Sequence, residues 1–335
     1  MANITIYDTS GDDEAFFKQA LSDQTVTYIK EPLAESNAVA NAEIVSVFVS
    51  SKVTRECINK LGVCKLLATR STGFDHIDAA STKEKGIIIS TVPTYGEHTV
   101  AEYAFGLLLS LTRKLPAAFE AAHEGSRSHC ELEGTDLNGK TFGVIGAGKI
   151  GRNTASIAKG FGMRVLAYDP FPNQEAAGQI GYEYMELNDL LSQSDVISLH
   201  VPYTPENHHL LNTERLALIK KSAILINTAR GELVDSKALV ECVTNGRIAG
   251  VALDVMENEE LINPLEELAL LRAEEVDSRL LEHSVEINVL KSLPNVLITS
   301  HNAFNTKEAI QRINQITVDN IHAFLSGKPQ NIVPA

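Results

Sequence analysis

The chain has 335 residues, of which 44% are hydrophobic and 21% are charged, the balance of a globular protein rather than of a disordered or membrane-spanning one. Domains usually hold about 100–200 residues, so this length predicts two domains. The formal net charge of −14, with no cluster of Lys and Arg that reverses it locally, argues against binding to nucleic acid or to an anionic membrane surface.

The N-terminal residues run directly into a strand pattern without the features of a signal peptide, and no stretch approaches the roughly 18 apolar residues of a membrane helix. The cysteines are scattered, without a CxxC pair or zinc-ligand spacing, which predicts reduced thiols. They are Cys57, Cys64, Cys130 and Cys242. We therefore expect a cytoplasmic protein with no membrane partner.

Short runs rich in Val and Ile alternate with helical patterns, which predicts buried parallel strands joined by crossover helices. In the first third of the chain the predicted strands form a small doubly wound sheet and cover residues 4–8, 44–49, 65–70 and 87–92. A second and larger sheet is predicted from residues 141–145, 164–168, 196–201, 224–227, 248–253 and 296–299.

Two long helices are predicted outside these sheets. Residues 98–115 form the connecting helix, with Thr99 as N-cap and Glu102 as its capping-box partner, and its apolar surface suggests a core or a subunit contact in a homodimer. Residues 306–325 form a second helix that we expect to pack on the first domain. The predicted domains are therefore residues 1–98 with 305–335, and residues 99–304.

The segment GAGKIG, residues 146–151, directly follows a predicted strand and precedes a helical pattern. In a dinucleotide-binding loop, Gly146 allows a tight turn, Gly148 allows the backbone to approach a pyrophosphate, and Gly151 allows close helix packing. Asp169 ends the next predicted strand, where a carboxylate binds ribose hydroxyls and repels a 2′-phosphate. Three glycines alone are a weak signal, but strand, loop, helix and acid in this order predict an NAD site.

Ligands of a parallel sheet bind beyond the carboxyl ends of its strands, so the residues that follow each strand of the second set are candidate site residues. Four of these ends read HVPYTPEN, NTARGE, ALDVMENEE and TSHNAF. They place Arg230, Glu259 and His301 at the cofactor edge, with Asp254 before Glu259.

An arginine, a carboxylate and a histidine beside a nicotinamide suit hydride exchange with a carbonyl acid. Arg230 can bind a carboxylate through its fork of donors. His301 can give a proton to the oxygen as hydride arrives, and Glu259 can hold the ring and favour its charged form. Taken alone, Arg230 could be a surface charge, Glu259 part of an acidic loop and His301 a strand-end cap. Their joint placement at one edge favours catalysis.

Seven stretches between Ser46 and Phe304 match a known family. They read ATRSTGFDHID, VPTYGEHTVAEYAFGLLLSLTRK, GVIGAGKIGR, VISLHVPYTPENHHLLN, LINTARGELVD, GVALDVMENE and SHNAF. Through them the chain resembles the D-isomer-specific 2-hydroxyacid dehydrogenases. The resemblance implies an α/β fold with two doubly wound parallel-sheet domains, a flavodoxin-like substrate domain and a Rossmann NAD-binding domain, separated by a cleft. It also implies NADH-dependent reduction of a small 2-keto acid, with pyruvate as the first substrate, to the D-2-hydroxy acid.

The resemblance also implies roles for individual residues. The catalytic residues are Arg230, Glu259 and His301, with His301 as the proton donor. The implied NAD contacts, beside the glycine loop, are Lys149, Ile150, Asp169, Val201, Pro202, Asn207, Thr228, Ala229, Arg230 and Asp254. The implied substrate contacts are the backbone N–H groups of Thr72 and Gly73, with Tyr95 nearby and Phe48 as an apolar wall.

Some positions depart from the family or are given no site role. After Glu259 a frequent proline is replaced by Glu260, a long helical stretch precedes the last strand, and Ser300 stands where proline is common. We interpret His208 and His209 as solvated loop residues rather than metal ligands, so no metal is expected. The acidic run 257–260 is expected to be a solvated face apart from Glu259, and His98 to lie in the hinge.

Alternative functions remain at this point. Glyoxylate, hydroxypyruvate and a branched 2-keto acid are alternative substrates, whereas the lack of an obvious phosphate clamp argues against 3-phosphoglycerate. A non-catalytic NAD-sensing protein on the same scaffold is an alternative of another class, because fold alone does not determine function. The complete set of Arg230, Glu259 and His301 disfavours it.

Overall fold

The structure is a computed structural model that describes residues 1–125, 132–263, 268, 271 and 278–334. The chain divides into two compact units. Unit 1 comprises Met1–Tyr95 with Asn305–Ala335, and unit 2 comprises Gly96–Phe304. Cys130 and part of the helical stretch predicted after Glu260 lie outside the described residues.

Unit 1 is built on a parallel five-stranded sheet in the order β2-β1-β3-β4-β5. Its strands are β1 Asn3–Ile6, β2 Thr25–Tyr28, β3 Ile44–Val47, β4 Leu66–Thr69 and β5 Ile88–Ser90. Its helices are α1 Gly11–Ala20, α2 Arg55–Lys60, α3 Ala79–Glu84 and a C-terminal helix Lys307–Leu325. The adjacent residues Leu66 and Leu67 belong to two different hydrophobic clusters, so both faces of the sheet are covered.

The C-terminal helix belongs to unit 1, although it follows unit 2 in the chain. Its N-cap is Thr306, whose side chain accepts a hydrogen bond from the N–H of Ala309. Val318 and Ile321 pack in the same hydrophobic cluster as Ile4 of β1. The chain therefore passes from unit 1 into unit 2 and returns.

Unit 2 contains a parallel seven-stranded sheet in the order β12-β11-β10-β9-β6-β7-β8. Its strands are β6 Thr141–Ile145, β7 Arg164–Tyr168, β8 Glu183–Tyr184, β9 Val196–Leu199, β10 Ile224–Asn227, β11 Gly250–Leu253 and β12 Val296–Ile298. Its helices are α4 Glu97–Thr112, α5 Leu115–His123, α6 Lys149–Gly160, α7 Gln174–Ile180, α8 Leu187–Gln193, α9 Thr213–Leu216, α10 Ser236–Thr244 and α11 Ser278–Ser292. Short 3-10 turns cover Pro205–Asn207, Gly231–Leu233 and Glu259–Ile262.

The predicted fold class is confirmed. Both sheets are parallel, and the alternation seen in unit 1 recurs in β6, where Val144 and Ile145 belong to clusters on opposite faces. The unit 1 order is that of flavodoxin-like sheets, and the first six strands of unit 2 follow the Rossmann order. Binding sites of such sheets lie at the carboxyl ends of the strands.

The edge strands β2 and β8 are absent from the sequence-based prediction. In β2, every second residue is exposed, and β8 has only two residues. Edge strands bury less of their surface than central ones, so they lack the continuous apolar run by which the other strands are predicted.

The prediction of one helix with Thr99 as N-cap is wrong. The helix α4 begins at Glu97, with Gly96 as its N-cap, three residues before Thr99, and without a side-chain cap. It ends at Thr112, and Lys114, with φ of 49°, separates it from α5. Within the part of the chain that the structure describes, no helix combines the length and apolar character needed to cross a bilayer.

Candidate active site

The glycine loop between β6 and α6 has the backbone geometry that the motif predicts. Gly146 has φ of +94°, a conformation that side chains rarely adopt. A Cβ atom on Gly146 would lie 2.7 Å from the backbone nitrogen of Val201. A Cβ atom on Gly151 would collide with the carbonyl oxygen of Gly146. Both positions therefore require glycine because protein backbone occupies the space beside them.

Gly148 has a different environment. Apart from Gly148 itself, its chain neighbours and the backbone of its own helix, no atom of the described residues lies within 4 Å of the place where its Cβ would stand. Gly148 is the N-cap of α6 and has no side-chain cap, so the first N–H groups of this helix are left for another acceptor. Open space over a glycine at a helix N-terminus is what a pyrophosphate needs, because the backbone can approach it and the helix dipole favours its charge. The loop therefore fits the diphosphate of a dinucleotide.

Asp169 lies directly after β7 and is tied to the glycine loop. Its Oδ2 accepts a hydrogen bond of 2.8 Å from the N–H of Ala147, and its Oδ1 accepts one of 2.8 Å from the N–H of Phe171. A carboxylate has about four lone-pair sites, so two backbone bonds leave capacity for ribose hydroxyls. The two bonds hold the carboxylate in place beside the loop.

Other predicted cofactor contacts lie at the same edge of the sheet. Lys149 opens α6 and forms an ion pair of 3.5 Å with Glu97, and Ile150 follows it in the first turn. The side chain of Asn207 accepts from the N–H of Thr204 and donates to the carbonyl of Pro202, so it closes the loop after β9.

Thr228 carries an unsatisfied polar atom. Its Oγ1 is buried and has no hydrogen-bond partner among the residues that the structure describes. Buried polar atoms are normally paired, so an unpaired oxygen at the carboxyl edge suits a bound ligand that donates or accepts a hydrogen bond.

The loop that carries Arg230 is organised by a buried side chain at the end of β10. Asn227 accepts a hydrogen bond from the N–H of Ala229 and donates one of 2.7 Å to the carbonyl of Arg230. The guanidinium of Arg230 donates to the carbonyl of Ala229, at 2.7 Å. A Cβ atom on Gly231 would collide with the backbone of Met256, so the Arg230 loop lies directly against the segment that follows β11.

His301 and Glu259 form a hydrogen-bonded pair. Nδ1 of His301 lies 2.8 Å from Oε1 of Glu259, and both side chains are partly exposed. The backbone of His301 has φ of 50°, in the left-handed region, and its N–H donates to the carbonyl of Asp254. A bond at Nδ1 leaves Nε2 as the ring nitrogen that can exchange a proton with a substrate.

Asp254 holds the loop of His301. It is 1% exposed, and its carboxylate accepts hydrogen bonds from the Thr299 hydroxyl at 2.6 Å, from the N–H of Asn302 at 2.9 Å and from the N–H of Ala303 at 2.8 Å. The family resemblance implies only a cofactor contact for Asp254, and that contact stays a prediction. The three hydrogen bonds to the His301 loop give Asp254 a structural role as well.

The predicted substrate residues of unit 1 lie after β3, β4 and β5, at the carboxyl edge of that sheet. The hydroxyl of Thr72 donates to the carbonyl of Val92, and the carbonyl of Gly73 accepts from Ser71. The ring of Phe48 lies 5.3 Å from the guanidinium carbon of Arg70, and the carbonyl of Tyr95 accepts from Arg312. These contacts fix the loops, and the binding roles stay predictions.

The interpretation of residues 257–260 as a solvated face is wrong for Glu257. Its side chain is 8% exposed, and its oxygens bond to Nε2 of His209 at 2.9 Å and to the hydroxyl of Ser236 at 3.0 Å. His208, His209 and Glu257 place possible ligand atoms within 4.8 Å of one another. A sequence pattern does not reveal this group, because His209 and Glu257 are 48 residues apart.

A model of the NAD-binding domain of D-isomer specific 2-hydroxyacid dehydrogenases matches residues 105–303, more than half of the chain. The chain belongs to this family. It is an NAD-dependent D-2-hydroxyacid dehydrogenase, as the resemblance implies, and NAD is its cofactor.

Known proteins are similar in sequence to this dehydrogenase over most of its length. A 2-hydroxyacid dehydrogenase homolog of Haemophilus influenzae is 38% identical over 324 residues, which cover 96% of this chain and 92% of the relative. The D-lactate dehydrogenase of Escherichia coli is 39% identical over 289 residues, covering 85% of this chain and 84% of that protein. The crystal structure of D-lactate dehydrogenase from Aquifex aeolicus, in complex with NAD and lactic acid, is similar with a TM-score of 0.85, 37% identity and coverage of 97% and 96%.

Proposed function

We propose that this dehydrogenase reduces pyruvate to D-lactate. Its similarity to D-lactate dehydrogenases over most of both chains supports pyruvate. The observation that carries the chemistry is the bond of 2.8 Å between His301 and Glu259, on the unit that also holds the glycine loop. A histidine held by a carboxylate at the ligand edge of an NAD-binding sheet is the arrangement that a proton donor needs.

The catalytic roles follow from the side chains themselves. Bound NADH supplies a hydride to the carbonyl carbon of the keto acid. His301 gives the proton from Nε2 to the carbonyl oxygen, and Glu259 holds Nδ1 and stabilises the charged ring before the proton leaves. Arg230 binds the substrate carboxylate and polarises the carbonyl, because its donors are charged and fixed in one plane.

The cofactor and substrate contacts complete the proposal. The residues proposed to bind NAD are Gly146, Gly148, Lys149, Ile150, Gly151, Asp169, Val201, Pro202, Asn207, Thr228, Ala229, Arg230 and Asp254. The residues proposed to bind the keto acid in unit 1 are Thr72, Gly73, Tyr95 and Phe48. The fixed loop around Gly148 and the unpaired oxygen of Thr228 support the first set.

The substrate is tested with a panel of 2-keto acids, with NADH oxidation followed by its absorbance. We expect the highest kcat/KM with pyruvate, because specificity is a ratio of kcat/KM values. A higher kcat/KM with glyoxylate, hydroxypyruvate or a branched 2-keto acid would show that this compound, rather than pyruvate, is the preferred substrate.

We also propose that the protein is a cytoplasmic homodimer. The apolar side of α4 packs inside unit 2, where Ala104 and Leu108 are buried, so α4 is less available than the sequence suggests. The next helix, α5, has no buried residue, and Phe119 on it is 65% exposed, which favours α5 as the subunit contact. Free thiols at Cys57, Cys64 and Cys242 support a reducing compartment. A monomer mass in light scattering would exclude the dimer.

A further inference from the structure

Four polar side chains form a connected group next to Glu259, and one of them, Glu257, lies two residues before it in the chain. Glu257 bonds through one oxygen to Nε2 of His209 and through the other to Ser236, and Oδ2 of Asp235 lies 3.8 Å from Nδ1 of His209. We call His209, Asp235, Ser236 and Glu257 the His209 cluster. The imidazole stands between two carboxylates, and both oxygens of the buried Glu257 are engaged.

Three members of the cluster belong to a well-connected part of unit 2. Asp235 is the N-cap of α10 and accepts a hydrogen bond from the N–H of Ala238, and Ser236 is the first residue of that helix. The N–H of His209 donates to the carbonyl of Glu232 at 2.8 Å, and Leu211 forms a parallel bridge with Val234. His209 and Ser236 are therefore held by backbone contacts that do not depend on Glu257.

Glu257 is the member that lies on the segment between β11 and Glu259. The chain leaves β11 at Leu253, is held at Asp254 by the His301 loop and is held at Glu257 by the His209 cluster. Asn258 follows with φ of 49°, in the left-handed region, and Glu259 begins the next 3-10 turn. Glu257 is thus the last side chain with a buried anchor before the carboxylate that bonds to His301.

We propose that His209 is a positioning residue of the reaction, which holds Glu257 so that Glu259 keeps its hydrogen bond to His301. The inference rests on the proposed roles of Glu259 and His301. A hydrogen bond weakens steeply as its distance and angle depart from their optimum, so a small displacement of the 257–259 segment is enough to lose the bond of 2.8 Å. Neither His209 nor Glu257 needs to touch the substrate.

The helix α11 brings further charged side chains near the His209 cluster. It packs against α10 and against the 3-10 turn Glu259–Ile262, and it brings Glu286 and His283 towards Glu257. Burial raises the pKa of Glu286, and the nearby carboxylates Glu257 and Asp235 raise it further, whereas His283 at 3.3 Å lowers it.

A metal ion is a poorer explanation of the same residues. The rings of His208 and His209 are stacked, with centroids 3.9 Å apart and planes 23° from parallel. The lone pairs of an imidazole lie in the ring plane, so the lone pairs of two stacked rings lie in two nearly parallel planes. Ligands of a tetrahedral ion have to converge on one point. The observed bond from His209 to Glu257 also uses the atoms that an ion would need.

The proposal is tested by His209→Ala and His209→Gln, with kcat and NADH affinity measured for each. His209→Ala is expected to lower kcat by roughly 10- to 100-fold, because misplacement of a catalytic group by about 1 Å has effects of that size. NADH affinity should stay within about twofold, since the glycine loop is untouched. Gln can donate to Glu257 without charge, so His209→Gln should recover most of kcat. His208→Ala, which removes the stacked ring but no bond to Glu257, is the matched control and should keep wild-type kcat.

A double-mutant cycle separates positioning from a general structural effect. If His209 acts through Glu259, His209→Ala should have little further effect on kcat in a Glu259→Gln background. A wild-type kcat in His209→Ala, or an equal loss in both backgrounds, would overturn the proposal. Should His209→Ala fail to fold, Glu257→Gln, which keeps the side-chain volume, enters the same cycle. Unchanged turnover in His301→Gln would instead refute the proposed function, so the two failures are distinguishable.

Discussion

Nδ1 of His301 lies 2.8 Å from Oε1 of Glu259, across 42 residues of the chain. The pair stands after β11 and β12, beside the loop of Arg230 that follows β10. Its two members are held separately: the loop of His301 by the buried carboxylate of Asp254, and the segment of Glu259 by Glu257.

The charge of Glu259 is tested by Glu259→Gln. The amide can keep a hydrogen bond to the ring but cannot stabilise its charged form, so we expect kcat for keto-acid reduction to fall roughly 10- to 100-fold. Steady-state kinetics measures the effect. Glu282→Gln, an exposed position on α11, is the control and should behave as wild type. Equal kcat in Glu259→Gln and wild type would exclude a role for the charge.

The ribose contact is tested by Asp169→Ala. Removal of the carboxylate should raise KM for NADH by roughly tenfold or more, because charge-assisted hydrogen bonds are lost. The same change removes the repulsion of a 2′-phosphate, so the preference for NADH over NADPH should shrink. The measurement is the ratio of kcat/KM with the two cofactors. An unchanged ratio would show that Asp169 does not contact the ribose.

The buried anchor of the His301 loop is tested by Asp254→Asn. The new amide nitrogen cannot accept a hydrogen bond from the loop, so we expect the free energy of unfolding to fall by about 2–4 kcal/mol and kcat to fall with it. Urea unfolding and steady-state kinetics measure the two effects. Thr299→Val removes one of the three bonds and should lose less. A normal NADH affinity in a folded Asp254→Asn would favour the loop role over the predicted cofactor contact.

His200, at the end of β9, gives the stability a pH dependence. Burial lowers its pKa to about 3, from 6.5. Between these values the unfolded chain binds a proton that the folded protein excludes, so the free energy of unfolding falls as the pH falls. Between pH 7 and pH 5 this contribution is roughly 1–2 kcal/mol. His200→Asn should lose less stability than wild type over this range in urea unfolding, whereas an equal loss would contradict the burial of the ring.

The sequence predicts local features of the site better than its supporting contacts. The conformation of Gly146 and the position of Asp169 after β7 follow from the dinucleotide-binding motif, because each residue of the motif is required by its immediate surroundings. The two sheets follow from buried apolar runs. The edge strands β2 and β8 lack such runs, and the N-cap of α4 is Gly96, which has no side-chain cap of the kind by which Thr99 is predicted.

The contact between His209 and Glu257 shows why the supporting contacts of the site cannot be predicted from the sequence. In sequence, His209 belongs to a polar loop and Glu257 to an acidic run, and each type of segment is usually solvated. Only the fold brings these residues within 2.9 Å, because β9, β10 and β11 are neighbours and their loops meet at one edge. Burial of a carboxylate depends on that juxtaposition, which no single segment encodes.

His301→Gln tests the role of His301 as the proton donor in keto-acid reduction. The variant keeps a polar side chain of similar reach but cannot act as the acid. We expect NADH affinity within about twofold of wild type, by fluorescence titration, together with loss of kcat by a factor of about 100 or more. Wild-type turnover in the variant would contradict His301 as the proton donor, because the proton would then come from another group.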